Sequence, residues 1–275
     1  MAKDTGVAGH AAGDILARLR GGQPLVHSIT NYVAMSFTAN ALLALGASPV
    51  MAHAREEVEE MVSLAEALVL NIGTLSRDWI ESMLIAANMA ARHGTPVVLD
   101  PVGSGATSLR TQTAKRIAGS GWVSLVRGNA SEILSLGSTL GRGKGVDAAH
   151  SVQEAEETAR ILAAELQTVL AITGPQDYIT DGRRWVWVEN GHPLMGRITG
   201  TGCAASAVCA AFMAMERDTL KAAAAALAFF GLAGERAGEA ALAPGSFQYA
   251  LLDALYSITA NDLAAKARIN GPDLF

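Results

Sequence analysis

The chain is poor in cysteine, aromatic residues and charge. It has two cysteines, Cys203 and Cys209, in 275 residues. Six apart on a helix, they fall on different faces and are not expected to pair. There is no CxxC, HExxH or Cys/His cluster, which argues against a structural zinc site. Free thiols fit a reducing compartment, and residues 1–10 lack the apolar core of a signal peptide. The expected location is the cytoplasm. The most apolar stretch, 222–234, is too short and Ala-rich for the ~20 residues of a membrane span. Charged residues make up 17% of the chain, the net charge is −5, and the basic residues are scattered. Nucleic acid is therefore not the expected partner, although a small phosphorylated ligand needs only a local positive site. With 5% aromatics in a chain that is 50% hydrophobic, the core must be built from Ala, Leu, Val and Ile. That composition suits helices packed on a sheet.

Several motifs are also missing. The P-loop G-x-x-x-x-G-K-[ST] is absent; Gly143-Lys144 comes nearest, but its spacing and the following Gly145 fail. No G-x-S-x-G elbow of a serine hydrolase occurs. The segment 200–205 satisfies G-x-G-x-x-A. It lies late in the chain, however, and no strand-ending acid follows it, so a dinucleotide reading is weak.

What is present is an alternation. Residues 1–12 are read as a loose leader and 14–20 as a short helix. Apolar strand candidates at 24–27, 48–51, 67–72, 96–100, 122–127 and 168–173 then alternate with helical stretches at 56–64, 78–93, 109–119, 129–136 and 151–165. Such βαβ units make a mainly parallel sheet covered on both faces. Asp181-Gly182, between 178–180 and 184–188, signals an antiparallel edge hairpin. From 201 to 263 the chain reads as helix after helix, broken once at Pro244-Gly245. With no linker or repeat, 1–275 is expected to be a single α/β domain.

The chemistry gathers around 198–206, I-T-G-T-G-C-A-A-S. Gly200 and Gly202 precede an unbroken Ala-rich run, so they should open a helix whose free N–H groups and dipole favour an anion. Cys203 is then expected to have a lowered pKa. An anion hole beside a reactive thiol leaves acyl and phosphoryl chemistry open. A Cys–His hydrolase would draw its base from His10, His27, His53, His93, His150 or His192. The strand ends form a second pattern: Asn71, Asp100, Arg127 and Thr173 each close or follow a buried apolar run. In an open parallel sheet, ligands bind beyond those ends. Asp100 and Glu132 are the Mg²⁺ candidates, because Mg²⁺ takes one or two carboxylates plus phosphates and water. The plainer reading of Glu132, three after Asn129, is a capping-box acid.

Together these residues resemble the ribokinase-like superfamily and, within it, the hydroxyethylthiazole kinase family. The resemblance spans about 13–257. It rests on H-S-I-T-N-Y-V (27–33), A-L-G-A-S-P-V-M-A-H-A (44–54), N-I-G-T-L (71–75), L-D-P-V-G (99–103), R-G-N-A-S-E-I (127–133), D-Y-I-T-D-G (177–182), G-H-P-L-M (191–195) and I-T-G-T-G-C (198–203). It implies a three-layer αβα sandwich with a helical C-terminal region. It also implies ATP- and Mg²⁺-dependent phosphorylation of the hydroxyethyl alcohol of 4-methyl-5-(2-hydroxyethyl)thiazole, a salvage step towards thiamine. Cys203 then stands where related kinases place an aspartate base, beside Gly200 and Gly202. Met51, Gly200 and Asn31 are implied on the thiazole side, Arg127 and Thr173 at the ATP phosphates, and Asp100 and Glu132 at the metal. A homotrimer with sites at subunit boundaries is implied as well. The runner-up readings are another small-alcohol or pyrimidine kinase of the same fold, a dehydratase of that fold, and a non-catalytic thiazole or nucleotide sensor. Cys203 in place of aspartate speaks against the first two.

Overall fold

The computed structural model describes residues 5–137 and 152–272; Gly143, Lys144, His150 and Ser151 lie outside them. The first half alternates as its apolar runs require. It comprises α1 (Thr5–Gly22), β1 (Leu25–Ile29), α2 (Met35–Leu45), β2 (Ser48–Val50), α3 (Val58–Leu64), β3 (Ala67–Asn71), α4 (Arg77–His93), β4 (Val97–Asp100), α5 (Ser108–Ala118), β5 (Leu125–Gly128) and α6 (Ala130–Gly137). Then come α7 (Val152–Leu166), β6 (Val169–Ile172), β7 (Asp177–Thr180), β8 (Trp185–Val188), α8 (Thr201–Met215), α9 (Thr219–Ala240), α10 (Pro244–Ser257), α11 (Ala260–Lys266) and β9 (Ile269–Asn270).

Among the described residues the strands form one sheet, in the order β2-β1-β3-β4-β5-β6-β7-β8-β9. Strands β2 through β6 pair in parallel, and β7, β8 and β9 add antiparallel. The period-2 alternation of β3 divides the core. Val69 faces a cluster with α1, α2, α8 and α9, whereas Leu68 and Leu70 face one with α3, α4, α5 and α7. The result is the expected αβα sandwich with an antiparallel edge. Asp181-Gly182 makes the β7–β8 turn, with Gly182 at φ +90°. The two-residue β9 was not foreseen.

Helix ends follow local chemistry. The Ser76 hydroxyl accepts the Trp79 N–H at 3.2 Å to start α4, and left-handed Gly94 ends it. Helix α8 is buried on every side from Ala204 to Met213. Its Ala-rich sequence lets it lie against the middle of the sheet, and that placement aims its N-terminus at the strand ends.

The loose leader expected over 1–12 does not hold for residues 5–12, which belong to α1. Ala8 and Ala12 are buried. A Cβ on Gly9 would meet the Ala264 carbonyl oxygen at 2.2 Å, and one on Gly13 the Ala260 carbonyl oxygen at 2.6 Å. The low helix propensity of glycine hides this helix in the sequence, but glycine is what allows α1 to touch α11.

Candidate active site

The sheet order places the sequence-derived residues on one edge. Met51 follows β2, Asn31 follows β1, Asn71 and Asp100 end β3 and β4, Arg127 lies in β5 and Thr173 follows β6. Six parallel strands about 4.8 Å apart span roughly 24 Å at these carboxyl ends. The N-terminus of α8 points at the centre of the row. Gly200 is its N-cap at φ +88°, and no side chain among the described residues caps the first turn. The glycines allow close approach here. A Cβ on Gly200 would lie 3.2 Å from that of Ala34, and one on Gly202 would lie 2.8 Å from Arg127 Nη1. A guanidinium is thus laid directly against the positive end of a helix, and an anion would satisfy both.

Arg127 Nη2 donates to Thr173 Oγ1 at 2.5 Å, and Nη1 sits 3.8 Å from Asp100 Oδ2. Its buried Nε has no hydrogen-bond partner among the described residues. A cavity of about 530 Å³ opens beside it, lined in part by Arg127, Thr173, Asp177, Asn190, Gly202 and Phe230. That size is ample for a nucleotide-sized ligand.

Asp100 is buried, and burial pushes its pKa up to about 6 against the pull of Arg127. Its Oδ2 accepts from Asn71 Nδ2 and Ser206 Oγ, each at 2.9 Å. Glu132 completes the capping box anticipated for it. Its oxygens accept the N–H groups of Gly103 at 2.8 Å and Asn129 at 2.9 Å, while Asn129 Oδ1 accepts the Glu132 N–H. Among the described residues no group of three or more His, Cys, Asp or Glu is arranged to hold a metal. The available donors are two carboxylates, a hard-oxygen set that suits Mg²⁺ held largely by phosphates.

Cys203 occupies the third position of α8 and is partly exposed; Cys209 is a buried free thiol. The expected lowering of the Cys203 pKa is not observed. Desolvation, and then the neighbouring Asp100 charge, raise it, while amide hydrogen bonds from Asn31 and Asn71 and the Arg127 charge pull the other way. The helix end was legible from sequence, but the burial was not. Among the described residues, no hydrogen bond joins either cysteine to His27, His53 or His192. His27 is buried with Nε2 2.6 Å from the Ala52 oxygen, His53 packs on Trp79, and His192 accepts from Leu194 N and stacks on Phe247.

Asn31 is buried, and its amide is turned into the protein: Nδ2 reaches Cys203 Sγ at 3.2 Å and Asn71 Oδ1 at 2.8 Å. Met51 is half-buried at the far end of the row. Sequence reasoning placed Asn71 among the strand ends without a partner, and gave no role to three further residues of this edge. Asn71 and Ser206 bind Asp100; Ser206 lies one turn after Cys203, a spacing that could have revealed it. Asp177 accepts the Gly174 N–H at 3.0 Å, and burial pushes its pKa up to about 6. Arg110 donates to the Val102 and Gly73 carbonyls at 2.7 and 2.6 Å, pinning two strand-end loops together. No sequence signal marks Arg110.

Known proteins show the family of this chain. A model of the hydroxyethylthiazole kinase family matches residues 16–261. The chain is 60% identical over 258 residues to a hydroxyethylthiazole kinase of Desulfotalea psychrophila, covering 94% of each. It is 52% identical to one from Moorella thermoacetica, covering 90% of this chain and 92% of the relative. A solved hydroxyethylthiazole kinase from Pyrococcus horikoshii OT3 superposes with a TM-score of 0.88 at 47% identity, covering 95% of this chain and 99% of that one. A Staphylococcus aureus pyridoxal kinase, at TM-score 0.64 and 14% identity over 90% of this chain and 98% of that one, shares the fold.

Proposed function

This chain belongs to the hydroxyethylthiazole kinase family, and from that membership we propose a specific reaction and division of labour. The enzyme transfers the γ-phosphoryl group of ATP to the hydroxyl of 4-methyl-5-(2-hydroxyethyl)thiazole, a step of thiamine salvage. The observation that carries the residue roles is the N-terminus of α8: an uncapped helix start with Arg127 against Gly202 and Cys203 at its third position. Phosphoryl transfer needs positioning and charge stabilisation more than covalent chemistry. The N–H groups of 201–203 and the Arg127 guanidinium offer both.

Arg127 and Thr173 hold the ATP phosphates at the mouth of the 530 Å³ cavity, and the Arg127 Nε gains an acceptor there. Met51, Asn31 and Gly200 form the alcohol side, with Asn31 acting through the thiol it touches. Cys203 orients the alcohol and receives its proton. Its raised pKa makes the neutral thiol the resting form, which cannot itself take a proton, so the minor thiolate form is the base and becomes thiol as the hydroxyl attacks. Asp100 and Glu132 would hold Mg²⁺, which supplies neutralisation of the phosphate charge. Glu132 would act through lone pairs left over from its two backbone bonds.

A homotrimer fits the exposed Tyr32 and Val33, 67% and 66% accessible next to Asn31, where a neighbouring subunit would close the alcohol side. Free thiols suit the cytoplasm, and no described helix is long and apolar enough to cross a membrane. A coupled ADP-release assay with the thiazole alcohol, ATP and Mg²⁺ tests the activity. We expect alcohol-dependent turnover of roughly 1–100 s⁻¹. Well-folded protein that releases no ADP on addition of the alcohol would refute it.

A further inference from the structure

The side chains behind Cys203 form a chain of fixed polarity. Asn31 Oδ1 accepts the Ala34 N–H at 2.9 Å, and Asn71 Oδ1 accepts the Gly73 N–H at 3.0 Å. Turning either amide over would set N–H against N–H, so both orientations are locked. Asn31 must then direct its Nδ2 to Asn71 Oδ1 and to Cys203 Sγ. Asn71 must direct its own Nδ2 to Asp100 Oδ2. Both amides are nearly inaccessible, Asn31 at 4% and Asn71 at 1%. The arrangement needs a glycine at 73, where a Cβ would lie 2.8 Å from that of Asn31.

We propose that Asn71 is a positioning residue for the transfer step: it locks the Asn31 amide towards Cys203 and braces Asp100 from β3. The sulfur then meets the Asn31 donor on its protein side, so in the thiolate form a lone pair faces the cleft where the alcohol arrives. One amide thereby sets the geometry of the alcohol side and of the phosphate side together. The plain alternative is that Asn71 only satisfies buried polar groups at the end of β3. That role would change stability without changing the thiol.

The kcat arm of the test rests on the proposed thiazole phosphorylation, whereas the alkylation arm does not. In the full chain, Asn71→Asp keeps the shape and the oxygen facing Asn31 and Gly73 but removes the amide hydrogens. We expect kcat to fall about 10–100-fold, as for other supporting residues of a reacting group, with the KM for ATP within about threefold. We also expect iodoacetamide to label Cys203 at least about fivefold more slowly at mildly alkaline pH, read by mass spectrometry without metal or nucleotide, because thiolate next to a carboxylate is disfavoured. In a Cys203→Ala background the same change should cost much less kcat than in the wild type. Unchanged labelling of a folded variant overturns the proposal, as does an equal kcat cost in both backgrounds. If Asn71→Asp does not fold, Asn71→Ser carries the kcat comparison in both backgrounds, with the same outcomes. If the wild type proves inactive on the thiazole alcohol, the function reading fails and the labelling result alone decides this one.

Discussion

Cys203 carries opposing influences within a few ångströms. The positive helix end, Arg127 and the Asn31 amide N–H favour its thiolate; burial and Asp100 oppose it and prevail. A residue so balanced contributes modestly as a base. We expect Cys203→Ala to lower kcat by about 10–100-fold, at the weak end of general-base effects, while nucleotide affinity stays within about twofold. Steady-state kinetics with a nucleotide titration would check this, and an unchanged kcat would make Cys203 a mere spacer. Asp177 offers a separate test through pH. Its folded pKa, about 6, lies above the ordinary 3.8, so in that interval the folded protein holds a proton that the unfolded chain releases. The associated stability is complete below about 3.8 and is lost as pH rises through about 6. Asp177→Asn keeps an acceptor for Gly174 and removes the charge. It should therefore raise stability at neutral pH, by up to about 3 kcal/mol, and much less at pH 5. Thermal melts of both proteins at the two pH values decide it, and an equal gain at both would count against the assignment.

Among the elements, α8 brings most of the site together. Its Ala-rich run was legible because nothing in 203–215 breaks a helix, and Gly200 and Gly202 marked its start. The strand ends were legible for a similar reason, since each buried run stops at a polar residue. Physical context explains what was not legible. Residues 5–12 look weak alone and become helical against α11. The two residues of β9 are too few to show a period. The depth of Cys203 depends on Asn31 and Asn71, far away in sequence. The glycines of α8 make a further prediction. A methyl group at 202 would displace the Arg127 guanidinium, so Gly202→Ala should cost about 10²–10³ in kcat with little change in thermal stability. Kinetics alongside a melting curve would separate the two effects, and a variant with normal kcat would show that the guanidinium need not lie there.

For the molecule as a whole, the order of the strands puts the proposed alcohol side at β2 and β1 and the proposed phosphate side at β5 and β6. The exposed Tyr32 and Val33 lie beside the alcohol side, so the proposed assembly and the activity should fail together. Val33→Glu should reduce a species of about three times 28.5 kDa to monomer in light scattering and raise the KM for the alcohol at least about tenfold. A monomeric variant with an unchanged KM would place the subunit boundary elsewhere.

The contact of Gly9 and Gly13 with Ala264 and Ala260 also bears on biosynthesis. Helix α1 leaves the ribosome first, yet the backbone it lies against follows about 250 residues later. At about 5–20 residues per second, that partner arrives tens of seconds afterwards. Through that interval, Leu16 and Leu19 of α1 can be covered only by other elements as they emerge, or by a chaperone. The seating of α1 on α11 is therefore among the last contacts to form on a nascent chain, and a pause in translation before α11 would hold the protein open at that seam.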